Sequence, residues 1–162
     1  MIRELLFRGK SESNNEWVVG NTIINDYDIH QVFIRNRSKG FDQSQWEEVQ
    51  NATVGMFTGI LDRNGKRIFE HDIVRRHTVD EYNQIGTVFY DEKAACFKIR
   101  WHIVEIPDNR EPGGFRRIES FSCDKPETFI YRKCFEGQNP YIESYSYELL
   151  GNEFDNKKLL EL

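Results

Sequence analysis

The chain has 162 residues, enough for one domain or two very small ones. An aromatic share of 14% excludes an intrinsically disordered chain, and a formal net charge of −5 argues against a basic nucleic-acid-binding protein. No apolar run approaches the roughly 18 residues of a membrane span, and no signal peptide opens the chain, so we expect a cytosolic protein without membrane contact.

The three cysteines are Cys96, Cys123 and Cys134. An odd number at wide spacing forms neither a disulfide framework nor a paired metal knuckle. We therefore expect idle thiols in a reducing compartment.

Short β-branched and aromatic runs dominate the N-terminal part of the chain. Residues 17–24 are rich in β-branched side chains and residues 27–35 alternate between apolar and polar, which predicts two strands joined as a hairpin at Asn25-Asp26. The best helical candidates are two short segments of about two turns each, residues 43–50 and the C-terminal tail 157–162.

Turn signals divide the centre of the chain. Asn64-Gly65 marks a turn because these residues accept a positive φ at low cost, and residues 70–72 mark another between two short apolar pairs. Residues 86–90 and 94–101 then flank a third turn, so they predict a second hairpin.

Many short strands and several turns predict a mainly β protein, a small barrel or roll with little helix. We expect one domain over residues 1–162: N-terminal strands over about 1–50, a central motif and hairpin over 51–102, and a C-terminal strand and tail over 147–162. Residues 103–146 hold prolines and a Gly-Gly pair, and they predict an elaborated insertion with one or two short strands, notably over 128–131.

The central run FTGILDRNGKRIFEHDIV, residues 57–74, resembles the signature of the YopX family. Residues 3–20 are similar to the N-terminus of that family, and residues 149–156 are similar to its closing element. One departure is His71, which stands where the family usually has glycine. If that position has a positive φ, histidine adopts it at some cost.

The resemblance implies a largely β fold with an SH3-like roll and an origin in a phage or prophage of bacteria. It implies no known activity, so no catalytic residue is carried over to this chain. The motif residues that we expect to have a structural role are Gly59, Asp62, Asn64, Gly65, Asp72, Gly151 and Asn152.

Three carboxylates, Asp62, Glu70 and Asp72, lie within eleven residues of the motif and could hold a divalent cation only if they converged. The simpler interpretation is that Asp62 and Asn64 shape a turn and Asp72 caps the entry to a strand. The sequence contains neither a phosphate-binding loop nor a catalytic constellation. We therefore expect no cofactor, no metal and no enzymatic activity.

Single-stranded nucleic acid is one candidate partner, because small barrels stack bases on aromatic side chains along a basic groove. Clusters of basic and aromatic residues would suit this function, yet no segment of the chain is net basic. The candidate contacts are Arg75, Arg76, Lys98, Arg100 and Trp101.

A protein partner is the favoured hypothesis, because an acidic chain rich in aromatic residues offers interface anchors. We expect a host or phage protein as the partner, and self-association is a variant since exposed strand edges pair readily. On a strand, the three tyrosines of the candidate surface would share one face. The candidate surface comprises Phe115, Arg116, Arg117, Tyr141, Tyr145 and Tyr147.

Overall fold

The computed structural model describes residues 4–25, 31–36, 46–77, 82–108, 114–119, 127–128 and 146–162. It is mainly β, as predicted, and forms two antiparallel sheets. The chain divides into two compact units. The first comprises Met1–Ile60 and Arg67–Glu70, and the second comprises Leu61–Lys66 and His71–Leu162. Within the described ranges, no helix is long and apolar enough to cross a membrane.

The first unit contains a six-stranded sheet in the order β4-β3-β2-β1-β5-β6. Its strands are β1 Phe7–Lys10, β2 Trp17–Asn25, β3 Gln31–Asn36, β4 Trp46–Val49, β5 Gly55–Leu61 and β6 Arg67–Phe69. A 3-10 helix, Asn51–Thr53, precedes β5. The pairing of β2 with β3 confirms the first predicted hairpin, with Ile23 opposite Phe33.

Apolar side chains of this unit form two clusters. Val18, Ile34 and Val49 are buried together, and Phe7, Val32 and Val54 pack against them. Leu6, Phe57 and Phe69 form the second cluster with Val19.

The helix predicted over residues 43–50 is wrong. Residues 46–49 form strand β4, and residues 43–45 lie outside the described ranges. Glu48 pairs with Phe33 and Val49 pairs with Val32, which places Val49 in the buried cluster. An isolated helix of two turns is marginal in water, so the apolar contacts of Val49 outweigh the local helical preference.

The second unit contains a sheet in the order β10-β9-β8-β7-β12, with β11 also paired to β9. Its strands are β7 Asp72–His77, β8 Asn83–Asp91, β9 Cys96–Pro107, β10 Phe115–Glu119, β11 Glu127–Thr128 and β12 Ser146–Asn152. The pairing of β8 with β9 confirms the second predicted hairpin. The tail forms a short 3-10 helix, Lys157–Leu160.

Strand β9 continues to Pro107, beyond the end of the predicted hairpin at residue 102. Ile103 and Glu105 are buried, and both pair with β8 and with β10. These contacts are distant in sequence, so a local pattern did not indicate them. Of the strand predicted over residues 128–131, Thr128 ends β11 and the rest lies outside the described ranges.

Two sets of buried side chains hold this sheet. Ile73, Ile85 and Ile103 form one cluster. Three leucines pack against it, Leu150, Leu159 and Leu160. The second set lies on the opposite face of the sheet and includes Val74 and Trp101. Both residues pair with Gly86, and directly paired residues share a face.

Candidate functional site

Among the described strands, β10 lies at the edge of its sheet, and it presents an aromatic and a basic side chain. It pairs with β9 from Phe115 opposite Pro107 to Glu119 opposite Ile103. The amide of Asp108 donates a hydrogen bond to the carbonyl of Gly114 (2.8 Å), which fixes the start of β10. Phe115 is 51% exposed, as are Ile23 and Leu61 on other strands of the chain.

Arg117 is held by a buried carboxylate. Its Nε and Nη2 atoms donate to Oε1 of Glu105 at 3.2 and 3.1 Å. Glu105 has only 5% of its side chain exposed, and its second oxygen lies 3.1 Å from Nε of Arg75. Glu105 on β9 thus connects Arg117 on β10 with Arg75 on β7. Each guanidinium offsets part of the free-energy cost of burying the carboxylate.

The charge network continues toward β12 through Glu148. Arg75 Nη1 lies 3.3 Å from the Glu148 carboxylate, and His77 Nε2 lies 3.2 Å from it. His77 Nδ1 lies 2.9 Å from the side-chain oxygen of Asn83. Burial raises the pKa of Glu148, but hydrogen bonds from His77 and Arg75 outweigh it and hold the pKa below the ordinary 4.5. The carboxylate therefore stays charged and neutralises Arg75.

The structure separates the six residues of the predicted interaction surface. Phe115 and Arg116 are exposed, whereas Arg117 is partly buried against Glu105. Tyr147 is 5% exposed, so it contributes to the core. Tyr141 and Tyr145 lie outside the described residues.

Two of the five residues predicted to contact nucleic acid are buried. Trp101 is fully buried, and Arg76 is 7% exposed with its guanidinium carbon 4.5 Å from the Trp101 ring centroid. Nε of Arg76 donates to Oε1 of Gln84 at 3.0 Å. Trp101 therefore presents no ring face to solvent for base stacking.

The other three have protein partners at the sheet surface. Arg75 lies between two carboxylates, as described, and Lys98 Nζ lies 2.6 Å from Asp91. The hydrogen bond to Asp91 raises the pKa of Lys98. Arg100 is exposed, with its guanidinium carbon 4.7 Å from the Phe89 ring centroid.

Asp62 shapes the first turn of the motif from a buried position. Its Oδ1 accepts hydrogen bonds from the amides of Asn64 and Lys66, both at 2.8 Å, and its Oδ2 accepts one from the amide of Leu149 at 3.2 Å. Burial raises the pKa of Asp62, but these amide donors outweigh it and place the pKa below 3.8. Gly65 completes the turn at φ +80°.

His71 has a positive φ of 69°, at the position where the signature usually has glycine. Its Nδ1 lies 2.5 Å from Oε1 of Glu153, and its ring centroid lies 5.2 Å from that of Phe154. Asp72, the next residue, is fully buried at the start of β7. In the described parts of the chain, no three ligand-type side chains converge as a metal site would require.

Of the remaining motif residues, Gly59 lies within β5, and Gly151 and Asn152 lie at the end of β12. Gly59 has φ +87° and open space around it. A Cβ at Gly151 would lie 2.2 Å from Oδ1 of Asn156, so a side chain there would displace that amide. Asn152 accepts hydrogen bonds from the amides of Phe154 and Asp155, both at 3.0 Å.

Sequence reasoning missed a basic and aromatic cluster in the first unit. The guanidinium carbon of Arg8 lies 4.6 Å from the Trp17 ring centroid and 4.9 Å from that of Phe69. Nζ of Lys10 lies 5.4 Å from the Trp17 ring. The register of β1 with β2 places Lys10 opposite Trp17. In the sequence, the only sign of this cluster is that Arg8 and Lys10 alternate along β1.

Comparison with known families matches most of the chain. The family model described as YopX protein matches residues 6–114 of the chain. The match includes the whole central motif and ends inside the segment interpreted as an insertion. Among curated proteins, none matches the chain.

Proposed function

The chain belongs to the YopX family, and from this membership and the exposed end of β10 we propose that it is a protein-interaction module. In this proposal a phage or prophage encodes it as an accessory protein, and it acts in the bacterial cytoplasm on a host or phage protein. The SH3-like roll implied by the resemblance is part of the same proposal. It assigns the chain no catalytic residue and no cofactor.

The observation that carries the proposal is the exposure of Phe115 beside Arg116 on a fixed strand. Aromatic and arginine side chains contribute most of the binding energy in protein interfaces. Arg117 and Glu105 hold the strand, so these two side chains are presented with little loss of backbone entropy on binding.

The alternative function, binding of single-stranded nucleic acid, has less support. Stacking needs exposed rings, and Trp101 is fully buried. Phosphate binding needs available cations, and Arg75 and Lys98 each lie within 3.3 Å of a carboxylate. A net charge of −5 adds long-range repulsion of a polyanion.

Affinity capture from host lysate, with and without nuclease, tests the proposal. The double variant F115A/R116A removes the two exposed side chains. The control Y90A/R100A removes a matched pair, since Tyr90 is 42% exposed and Arg100 is exposed on the same sheet. We expect a stoichiometric protein that survives nuclease, that the control retains and that F115A/R116A loses.

Two results would contradict this function. Partners that vanish on nuclease treatment would favour nucleic acid, and oligonucleotide binding that weakens steeply with salt would then identify the alternative. Equal capture by wild type and F115A/R116A would exclude this end of β10 as the site. Unchanged melting temperatures for both variants are the control for folding.

A further inference from the structure

Strand β10 lies at one end of the sheet that the structure describes, with β9 on its inner side. Within the described ranges, no strand pairs with its outer edge. An edge of this kind is a template for pairing with another strand.

We infer that β10 pairs antiparallel with β10 of a second copy of this chain, with Ile118 facing its own copy across a two-fold axis. This inference rests on the proposed function, because it names one partner of the same edge strand. Pairing between identical strands closes after two subunits, so it predicts a dimer rather than a fibre.

The charges and the length of β10 select this register. A two-fold axis across two identical antiparallel strands requires one residue to face its own copy. If that residue is Arg116, Arg117 or Glu119, like charges face each other, which destabilises the pair. If it is Phe115, no other residue of β10 faces β10 of the second copy. With Ile118 at the axis, two apolar side chains meet there, and Arg117 faces Glu119 on both sides.

The guanidinium of Arg117 can donate a hydrogen bond to a second carboxylate. Glu105 accepts hydrogen bonds from its Nε and Nη2, and within the described residues Nη1 makes no bond. Arg117 and Glu119 lie two residues apart on β10, so they occupy the same face, and Glu119 is exposed. In the paired edge, the Glu119 carboxylate of the second copy therefore meets a guanidinium that Glu105 already orients.

The interface is small. In this register only residues 117–119 face β10 of the second copy, and so short a pairing buries much less than the roughly 1,000 Å² typical of a stable interface, so pairing through β10 alone is weak. We expect monomer at about 10 µM and a growing dimer fraction toward about 1 mM, which corresponds to a weak dissociation constant.

Disulfide trapping of I118C tests the register. Directly opposite Cα atoms in antiparallel strands lie about 4.5–5.5 Å apart, within the range that a disulfide spans. The matched control R116C lies on the same strand, but the register separates it from its own copy by four residues, about 13 Å. With oxidised glutathione, we expect a 118–118 cross-linked peptide in mass spectrometry for I118C and at least tenfold less dimer for R116C.

Sedimentation of E119K gives an independent readout. Glu119 is exposed, and lysine there would face Arg117 of the second copy, so we expect the dimer to be lost while the melting temperature is unchanged. A wild type that stays monomeric at about 1 mM, or equal cross-linking of I118C and R116C, would overturn the inference. A monomer that still captures another protein would leave the proposed function standing, whereas a dimer that captures none would overturn only that function.

Discussion

His71 and Glu153 are joined twice, although 82 residues separate them in the sequence. The imidazole Nδ1 lies 2.5 Å from the Glu153 carboxylate, and the amide of Glu153 donates to the carbonyl of His71 at 3.0 Å. A histidine with φ of 69° is strained by on the order of 1 kcal/mol. The hydrogen bond with Glu153 and the contact with Phe154 offset that cost, which explains how the chain accommodates a side chain where the signature usually has glycine.

The pair predicts a specific pH dependence of stability. The hydrogen bond from His71 lowers the pKa of Glu153 against the opposing effect of burial. A lowered acid pKa stabilises the fold above the ordinary value of 4.5, and this stability is lost as the pH falls through the folded-state pKa. Because Glu153 is 37% exposed, we expect E153Q to cost no more than about 1 kcal/mol at pH 6.

Urea denaturation between pH 3 and pH 7 measures this effect. The slope of stability against pH should flatten in E153Q relative to wild type. E161Q, at an exposed position of the same tail, is the control and should match wild type. An unchanged slope in E153Q would show that the contact between His71 and Glu153 does not contribute.

Asp62 should be the most sensitive residue of the first motif turn. D62A removes three amide acceptor contacts from a side chain that is 6% exposed, so we expect a loss of about 2–3 kcal/mol. N64A, at an exposed position of the same turn, should cost well under half as much. Equal losses for the two variants in urea denaturation would contradict the assigned role of the carboxylate.

Alanine substitution should lower the stability of the fold far more at Arg76 than at Arg100. R76A removes a buried guanidinium from the Trp101 ring and leaves Gln84 without its donor, so we expect a loss of about 3 kcal/mol. R100A removes an exposed side chain and should change stability by less than about 0.5 kcal/mol. Thermal unfolding checks both, and a well-folded R76A with wild-type stability would contradict a structural role.

Alanine substitution should destabilise the fold far more at Gly86 than at Gly59. A Cβ at Gly86 would lie 2.4 Å from the carbonyl oxygen of Arg100 and 2.9 Å from the Trp101 ring, so G86A forces β8 and β9 apart. Gly59 has open space, and G59A pays only for its positive φ, about 1–2 kcal/mol. Circular dichroism should show G86A largely unfolded and G59A folded, and the reverse order would contradict the packing at Gly86.

Local chemistry accounts for the parts of the fold that the sequence predicted. Asp91 accepts hydrogen bonds from the amides of Lys93 and Ala94, which is the turn chemistry that marks the second hairpin in the sequence. Alternation along β2 and β3 likewise indicated the first hairpin. These signals lie within a few residues of the structure that they specify.

Contacts between distant segments account for what the sequence did not predict. Strand β4 forms because Val49 reaches the cluster around Ile34, and Tyr147 is buried opposite Arg76 on β7. Arg75 and Arg117 are basic in the sequence, but they meet at Glu105 only when β7, β9 and β10 are in register. A local pattern grouped Phe115, Arg116 and Arg117, but it did not distinguish the exposed Phe115 and Arg116 from Arg117, which is partly buried against Glu105.

Amide hydrogen exchange tests whether partners bind at the outer edge of β10. The exchange rates of the dilute protein are compared with those of two samples. One is the protein at high concentration, and the other is the complex recovered by capture. If partners bind there, exchange slows only at residues 115–119 and their neighbours, and it is unchanged at Ile23 and Ile24, which are exposed on β2. Slowed exchange at β2 with no change at β10 would contradict binding at this edge.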